Sequence, residues 1–357
     1  MSTPAGQSGA PLAAEIGQAG LKSSDLLVQK IDLIRRTALV LRMSREAYRA
    51  ASFLDDRILT PQSEGAWISL AQLESALAQV RTAQPLHFIF HAGHVGSTLL
   101  SRLLEEAGGV FSLREPLVLR TLAEAHDVLE LPESLLSPAE FSGLLAMQLK
   151  LWGRGYPDSA CVVVKATSSA ARIGPALLAG RSDARAIYLN LKAEPYLATL
   201  LAGENSPLDL RGHAPERVRR LARLLGTEAP RLHLLSLGEI AALAWLTERL
   251  TQQRLADQFQ PRVRALDFDE FLQDIPAAMA SAAGHFGISA SPQYLSAIGR
   301  SPVLRSYSKA PEHAYSPGLR LEILAQSRQR NRDEIGRGMR WLERMAALNG
   351  TVTAVLA

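Results

Sequence analysis

Residues Leu86 to Pro116 read LHFIFHAGHVGSTLLSRLLEEAGGVFSLREP. The run Leu86–Phe90 has the length and apolar character of a buried strand. The loop His91-Ala92-Gly93-His94-Val95-Gly96-Ser97-Thr98 comes next. Beyond it, Leu99, Leu100, Leu103, Leu104 and Ala107 recur on one face of a helix, with Arg102 and Glu106 on the other. A second short apolar run, Val110 to Leu113, ends in Arg114-Glu115-Pro116. Strand, glycine loop, helix, strand is the layout of a phosphate-binding unit, because a helix start offers N–H groups without intrahelical acceptors and a dipole that favours anions.

The same alternation continues downstream. Helix is expected from Pro116 through His126, and again from the Ser137-Pro138-Ala139-Glu140 start to about Trp152. Cys161–Lys165 (CVVVK) reads as a strand, with a helix from about Ala171 to Leu178 after it. Ala184–Leu191 (ARAIYLNL) is another strand, and a helix begins near Glu194-Pro195. Residues 203–216, rich in Gly, Pro and charge, read as a loop. Helices Pro215–Leu225 and Ser236–Gln258, a last strand Arg262–Phe268 and a helix over 276–286 follow. Residues 300–318 lack periodicity, and a long charged helix runs from about Leu319 to Leu348. Alternation of this kind argues for an α/β fold whose mostly parallel central sheet is covered on both faces. Ligands in such folds sit at the carboxyl ends of the strands. That singles out His91 to Thr98, Arg114-Glu115, Lys165 and Asn190 to Lys192.

Ahead of the loop, residues 1–20 are rich in Ala, Gly, Ser and Pro and are expected to be disordered. From Ser24 onward, Leu27, Ile31, Ile34, Ala38 and Leu41 recur at helical spacing, and a second helix is expected from Ser69 to before Pro85. Residues 21–84 therefore read as a helical extension to an α/β domain spanning 85–350. Its apolar stripe would pack on that domain or, alternatively, on a second copy of the chain in a homodimer.

Composition narrows the function. Across 357 residues the net charge is +4, too weak and too dispersed for a nucleic-acid partner but compatible with an anionic small ligand. The single cysteine, Cys161, excludes an internal disulfide and suits a reducing compartment. No apolar run approaches the ~20 residues that span a bilayer, and the N-terminus does not read as a secretory signal. The expectation is a cytoplasmic protein without a membrane or nucleic-acid partner.

The loop differs from the nucleotide pattern GxxxxGK[ST] at two places. His91 stands at the first glycine and Ser97 at the lysine that neutralises the β- and γ-phosphates, which weighs against ATP or GTP hydrolysis. What remains is a glycine turn, two hydroxyls and a helix start, which suit a single phosphate.

GSTLLSRLL after a strand, followed by a short strand ending in REP, resembles the 5′-phosphosulfate loop of bacterial-type sulfotransferases. The likeness extends more weakly over about residues 86 to 290, through Lys165 after CVVV, ARAIYLNLKAEPYLATLL, and RALDFDEFLQDIPAAMASAAGHFGI. The resemblance implies a three-layer, P-loop NTPase-like fold and transfer of a sulfuryl group from 3′-phosphoadenosine 5′-phosphosulfate to a hydroxyl of a small-molecule or glycan acceptor. Gly93, Gly96, Ser97 and Thr98 would hold the phosphosulfate, Glu115 would be the base, and His94 and Lys165 would stabilise charge on the bridging oxygen. No metal is expected. Many family members carry Lys or Arg where this chain has His94, whose imidazole is mostly neutral at pH 7 unless nearby anions raise its pKa. The family's 3′-phosphate element has an arginine eight residues before a serine. Here Thr199 fits the serine and Leu191 the arginine, with Lys192 adjacent and Arg305 or Lys309 as further sources of charge. Two alternatives remain on the same fold: a small-molecule kinase using ATP and magnesium, and a nucleotide-binding protein without catalysis. Asp267 and Asp269 resemble a magnesium-binding strand end, but the missing loop lysine argues against that role. The other histidines show no ligand spacing.

Overall fold

The computed structural model describes residues 9–78, 80, 84–307, 310–314 and 316–356; Lys309 lies outside them. In chain order the strands are β1 (Leu26–Asp32), β2 (Thr37–Arg42), β3 (Gly65–Ser69), β4 (Leu86–His91), β5 (Val110–Arg114), β6 (Cys161–Lys165), β7 (Ala186–Asn190), β8 (Val263–Asp267), β9 (Ser306–Tyr307) and β10 (Ala310–Ala314). Five of them form the main sheet in the order β5-β6-β4-β7-β8, with helices between successive strands. β6 pairs in parallel with both β4 and β5. Numbered within the sheet, the order is 2-3-1-4-5, and its first strand feeds the glycine loop and the Ser97–Glu106 helix. This is a P-loop-type α/β fold, as expected. β4 to β7 are buried at every residue, which is why they read as continuous apolar runs rather than alternating ones. β8 is partly exposed, as befits an edge.

The chain divides into two compact units. One comprises residues up to Ile89, Thr98–Ala186 and Met279–Leu295; the other comprises Phe90–Ser97, Ile187–Ala278 and Ser296 onward.

In the first unit, the N-terminal region differs from its sequence reading. Gly9–Ala19, expected to be disordered, is a helix that buries Leu12 and Ile16 one turn apart. The helix expected from Ser24 is instead an antiparallel sheet, β1-β2-β3. The helical spacing of Leu27, Ile31, Ile34, Ala38 and Leu41 was coincidental: Ile34 is 83% exposed, because it sits on the turn between β1 and β2. Asp32 makes that turn by accepting from the Ile34 and Arg35 N–H groups, and Arg36 takes a left-handed φ of 56°. The flanking runs Leu26–Val28 and Ala38–Leu41 are the buried strand centres. The expected helix after Ser69 is present, with a capping box of Ser69 and Gln72, over Leu70–Leu77. Pro138–Trp152 likewise starts on a Ser137–Glu140 capping box.

In the second unit, residues 206–216 belong to the Ser206–Leu225 helix rather than to a loop. Leu210, Ala214, Val218 and Leu221 supply its buried stripe, which packs on the Leu237–Gln258 helix and overrides the low helical propensity of Gly212 and Pro215. The long terminal helix is broken at Asn331 into Pro317–Arg330 and Arg332–Leu348. Among the described residues no helix is long and apolar enough to cross a membrane.

Candidate functional site

The loop after β4 turns through left-handed backbone at Gly93 (φ 95°), His94 (φ 55°) and Gly96 (φ 73°). A histidine in that region is uncommon and marks a constrained turn. His94 is exposed. His91 is buried, and its Nδ1 accepts from the Gly93 N–H at 3.1 Å, so its role is to brace the turn from below. The loop root is held by the Ala92 N–H donating to the Leu189 carbonyl at 3.1 Å, and by the Tyr196 hydroxyl donating to the Ala92 carbonyl at 2.7 Å.

Gly96 has two separate reasons to be glycine. Its φ is positive, and a Cβ there would lie 1.9 Å from the Phe268 ring. The packing of Phe268 therefore explains the glycine without a ligand. The hydroxyls are more informative. Ser97 and Thr98 occupy the first turn of the Ser97–Glu106 helix and are buried, and the Thr98 Oγ1 has no hydrogen-bond partner among the described residues. A buried hydroxyl without a partner costs free energy comparable to a lost hydrogen bond, which an anion at the helix start would restore. Left-handed residues on either side of Val95, at His94 and Gly96, give a turn of the kind that can direct successive N–H groups toward an anion.

Beneath the loop root, in the same unit, lies a buried charged network. Glu248 bonds the Tyr188 hydroxyl and the Arg220 guanidinium, and Arg220 also pairs with Glu216 at 2.9 Å. Burial opposes the charge on Glu248, but Arg220, the Tyr188 hydroxyl and Arg217 together hold the carboxyl below its usual range. Burial, with Glu248 alongside, pushes the Tyr188 phenol well up. Gln252 ties in through Asn190 and the Tyr188 carbonyl. Sequence reading misses this network because Tyr188, Arg220 and Glu248 come from three separate elements and no spacing along the chain marks their meeting.

In the first unit, Glu115 and Lys165 form a buried ion pair at the carboxyl ends of β5 and β6. Lys165 is fully buried and Glu115 nearly so. The Glu115 N–H also donates to the Lys165 carbonyl at 2.7 Å, and Glu115 has a left-handed φ of 52°. Two sequence-predicted residues thus come together, and the left-handed backbone at Glu115 is the kind of strain that clusters at active sites. The preceding Arg114 is structural: its guanidinium binds the Ala51, Tyr48 and Arg49 carbonyls and Glu105.

The residues considered for a 3′-phosphate are scattered by comparison. Lys192 is the exposed N-cap of the Ala193–Ala202 helix, and Thr199 lies two turns on, about 10 Å along the axis. The Thr199 hydroxyl donates to the Pro195 carbonyl at 2.7 Å. Leu191 is buried. Arg305 is exposed at the end of the short helix Pro302–Arg305. Asp267 is the N-cap of Phe268–Gln273, accepting from the Asp269 and Glu270 N–H groups, and Asp269 pairs with Arg320 at 2.7 Å. Among the described residues no group of three or more His, Cys, Asp or Glu could hold a metal ion.

No known family profile matches the chain, and no curated protein matches its sequence. Among solved structures it is similar to a sulfotransferase domain from the curacin biosynthetic pathway, at 13% identity and a TM-score of 0.40, over 74% of this chain and 98% of that one. A sulfotransferase from Mycobacterium avium aligns over 92% of this chain and 98% of its own, at 12% identity and a TM-score of 0.39. A mouse sulfotransferase complexed with PAP aligns over 79% of this chain and 92% of its own, at 10% identity and a TM-score of 0.40. At these scores the likeness carries no weight on activity, and the functional reading rests on the loop and the ion pair.

Proposed function

We propose that the chain is a sulfotransferase that moves a sulfuryl group from 3′-phosphoadenosine 5′-phosphosulfate to an acceptor hydroxyl. The observation that carries this reading is the loop's first helical turn, where Ser97 stands at the position of the nucleotide-loop lysine and the buried Thr98 hydroxyl lacks a partner among the described residues. A loop without that lysine is poorly equipped to neutralise a triphosphate and better matched to one phosphate.

In the proposed reaction the acceptor oxygen bonds to sulfur as the bond from sulfur to the bridging oxygen of the 5′-phosphate breaks. Glu115 takes the hydroxyl proton, and the bisphosphate leaves with the bond's electron pair. The backbone N–H groups of Gly93 to Thr98 and the Ser97 and Thr98 hydroxyls hold the phosphosulfate. Lys165 and His94 stabilise charge on the bridging oxygen. The ion pair with Lys165 holds the Glu115 carboxylate at the carboxyl end of the sheet, where the proposed base has to stand. Lys192, Thr199 and Arg305 are the proposed contacts of the 3′-phosphate.

The test uses donor labelled in the sulfuryl group, incubated with an acceptor panel while bisphosphate release is followed. Glu115→Gln is expected to bind 3′-phosphoadenosine 5′-phosphate as wild type does and to lose about 10²–10⁴-fold in transfer. Loss of binding together with transfer would assign Glu115 a structural role. Full transfer by the variant would remove it from the mechanism.

A further inference from the structure

The N-terminal extension reaches the Glu115–Lys165 pair. Leu54 donates its N–H to the Arg114 carbonyl at 2.7 Å, and its own carbonyl accepts from the Leu117 N–H at 3.1 Å. Residue 54 is therefore bonded to the chain on both sides of Glu115. The Arg114 guanidinium fixes the preceding turn through the Tyr48, Arg49 and Ala51 carbonyls. These five contacts to backbone carbonyls need none of the side chains that the segment then presents, namely Phe53 and Arg57.

 Phe53 is half-buried, its ring 5.7 Å from the Lys165 Nζ, and the exposed Arg57 guanidinium lies 3.4 Å from the centre of the same ring.

Counting the segment's neighbours, the cations Lys30, Arg57, Arg120 and Lys165 outnumber the carboxylates Asp55, Asp56 and Glu115 by one. Asp55 takes a two-point bond from Arg57, and Arg120 adds its field at the same carboxylate. The neighbouring Asp56 is taken up by Lys30 at 2.8 Å. Glu115 adds its field at Arg57, but Lys165 already holds its carboxylate.

We propose that the segment 53–57 is part of the acceptor site, with Phe53 as the surface along which the acceptor's apolar body lies and Arg57, backed by Arg120, as the contact for an anionic group on it. The preferred acceptor is then a hydroxyaryl compound bearing a carboxylate or similar anion. This rests on the sulfuryl-transfer reading, in which Glu115 takes the proton of that hydroxyl. Phe53 acts as a flat apolar wall beside the base. Arg57 sets specificity through a charge-assisted bond and takes no part in bond making.

The experiment uses the full chain and two phenols, 3-(4-hydroxyphenyl)propanoate and the neutral 4-methylphenol. Thermal shifts are read with saturating 3′-phosphoadenosine 5′-phosphate, and transfer rates with the phosphosulfate donor. Wild type is expected to favour the anionic phenol by about tenfold, the equivalent of one ~1.4 kcal/mol contact. Arg57→Gln should erase that preference through KM with little change in kcat, and should leave the neutral phenol unaffected. Phe53→Leu should weaken both phenols. Both variants should keep the wild-type Tm without ligand and the wild-type shift with the bisphosphate. A bisphosphate shift with no response to the anionic phenol, or equal responses to the two, would overturn the acceptor assignment and leave the donor reading standing. No shift with the bisphosphate would overturn both.

Discussion

Glu115 and Lys165 show what a single position can and cannot reveal from sequence. A lysine ending an apolar strand must find an anion, and a glutamate before proline must be extended or turned. That the two find each other follows only from the adjacency of β5 and β6. Gly96 teaches the opposite lesson, since a glycine expected to admit a phosphate is also required by Phe268, 172 residues away in sequence. Gly96→Ala is expected to cost more than about 1 kcal/mol, because the left-handed backbone and the ring both oppose a Cβ. In urea unfolding, a Phe268→Ala background should recover part of that cost; a fully additive double mutant would show that the ring is not the obstacle. His87 in β4 gives a pH-dependent prediction. Burial against Phe286 holds its imidazole at about 4, whereas the unfolded chain titrates near 6.5. Between those values the unfolded state binds a proton that the native state refuses, so stability falls as the pH drops below 6.5. Unfolding in urea should show a loss at pH 5 relative to pH 7 that is about 2 kcal/mol smaller in His87→Gln. An identical loss in both proteins would contradict the assignment.

At the scale of elements, the parallel strands and their following helices were legible because each is an unbroken apolar run bounded by turn or cap residues. β4, β5, β6, β7 and the Ser137-capped helix all begin and end close to where their sequences place them. The misreadings share one cause. In 24–42 a helical period arose by chance, and only the Asp32 turn distinguishes the hairpin. In 206–216 glycine and proline signalled a loop, but burial of Leu210 and Ala214 decided for helix. In both, packing partners distant in sequence outweighed local preference. Helix contacts also set close tolerances. The Leu237–Gln258 and Arg332–Leu348 helices approach at Gly238, where an added Cβ would meet the Glu334 carbonyl oxygen at 1.8 Å. Gly238→Ala should therefore cost about 1–3 kcal/mol despite alanine's better helical propensity. A stabilised variant in chemical denaturation would contradict that packing.

For the whole molecule, the proposed donor class was legible in the sequence and the acceptor was not. In the proposed reading the contacts to the phosphosulfate are concentrated in one continuous loop, residues 93–98, which is why a local stretch of sequence could suggest them. The acceptor contacts proposed at Phe53 and Arg57 come from an extension read as helical, and depend on backbone bonds between residues 54 and 114–117 that no local pattern encodes. The central claim is that this loop takes a phosphosulfate donor rather than a metal-bound triphosphate. It is tested most directly by thermal-shift titration of the purified chain with 3′-phosphoadenosine 5′-phosphate and, separately, with ATP, each with and without magnesium. A ligand at 100 times its Kd adds about 2.7 kcal/mol to native stability, enough to move Tm by several degrees. The account predicts that the bisphosphate raises Tm equally with and without magnesium and that ATP has little effect. Stabilisation by ATP with magnesium, and none by the bisphosphate, would contradict it.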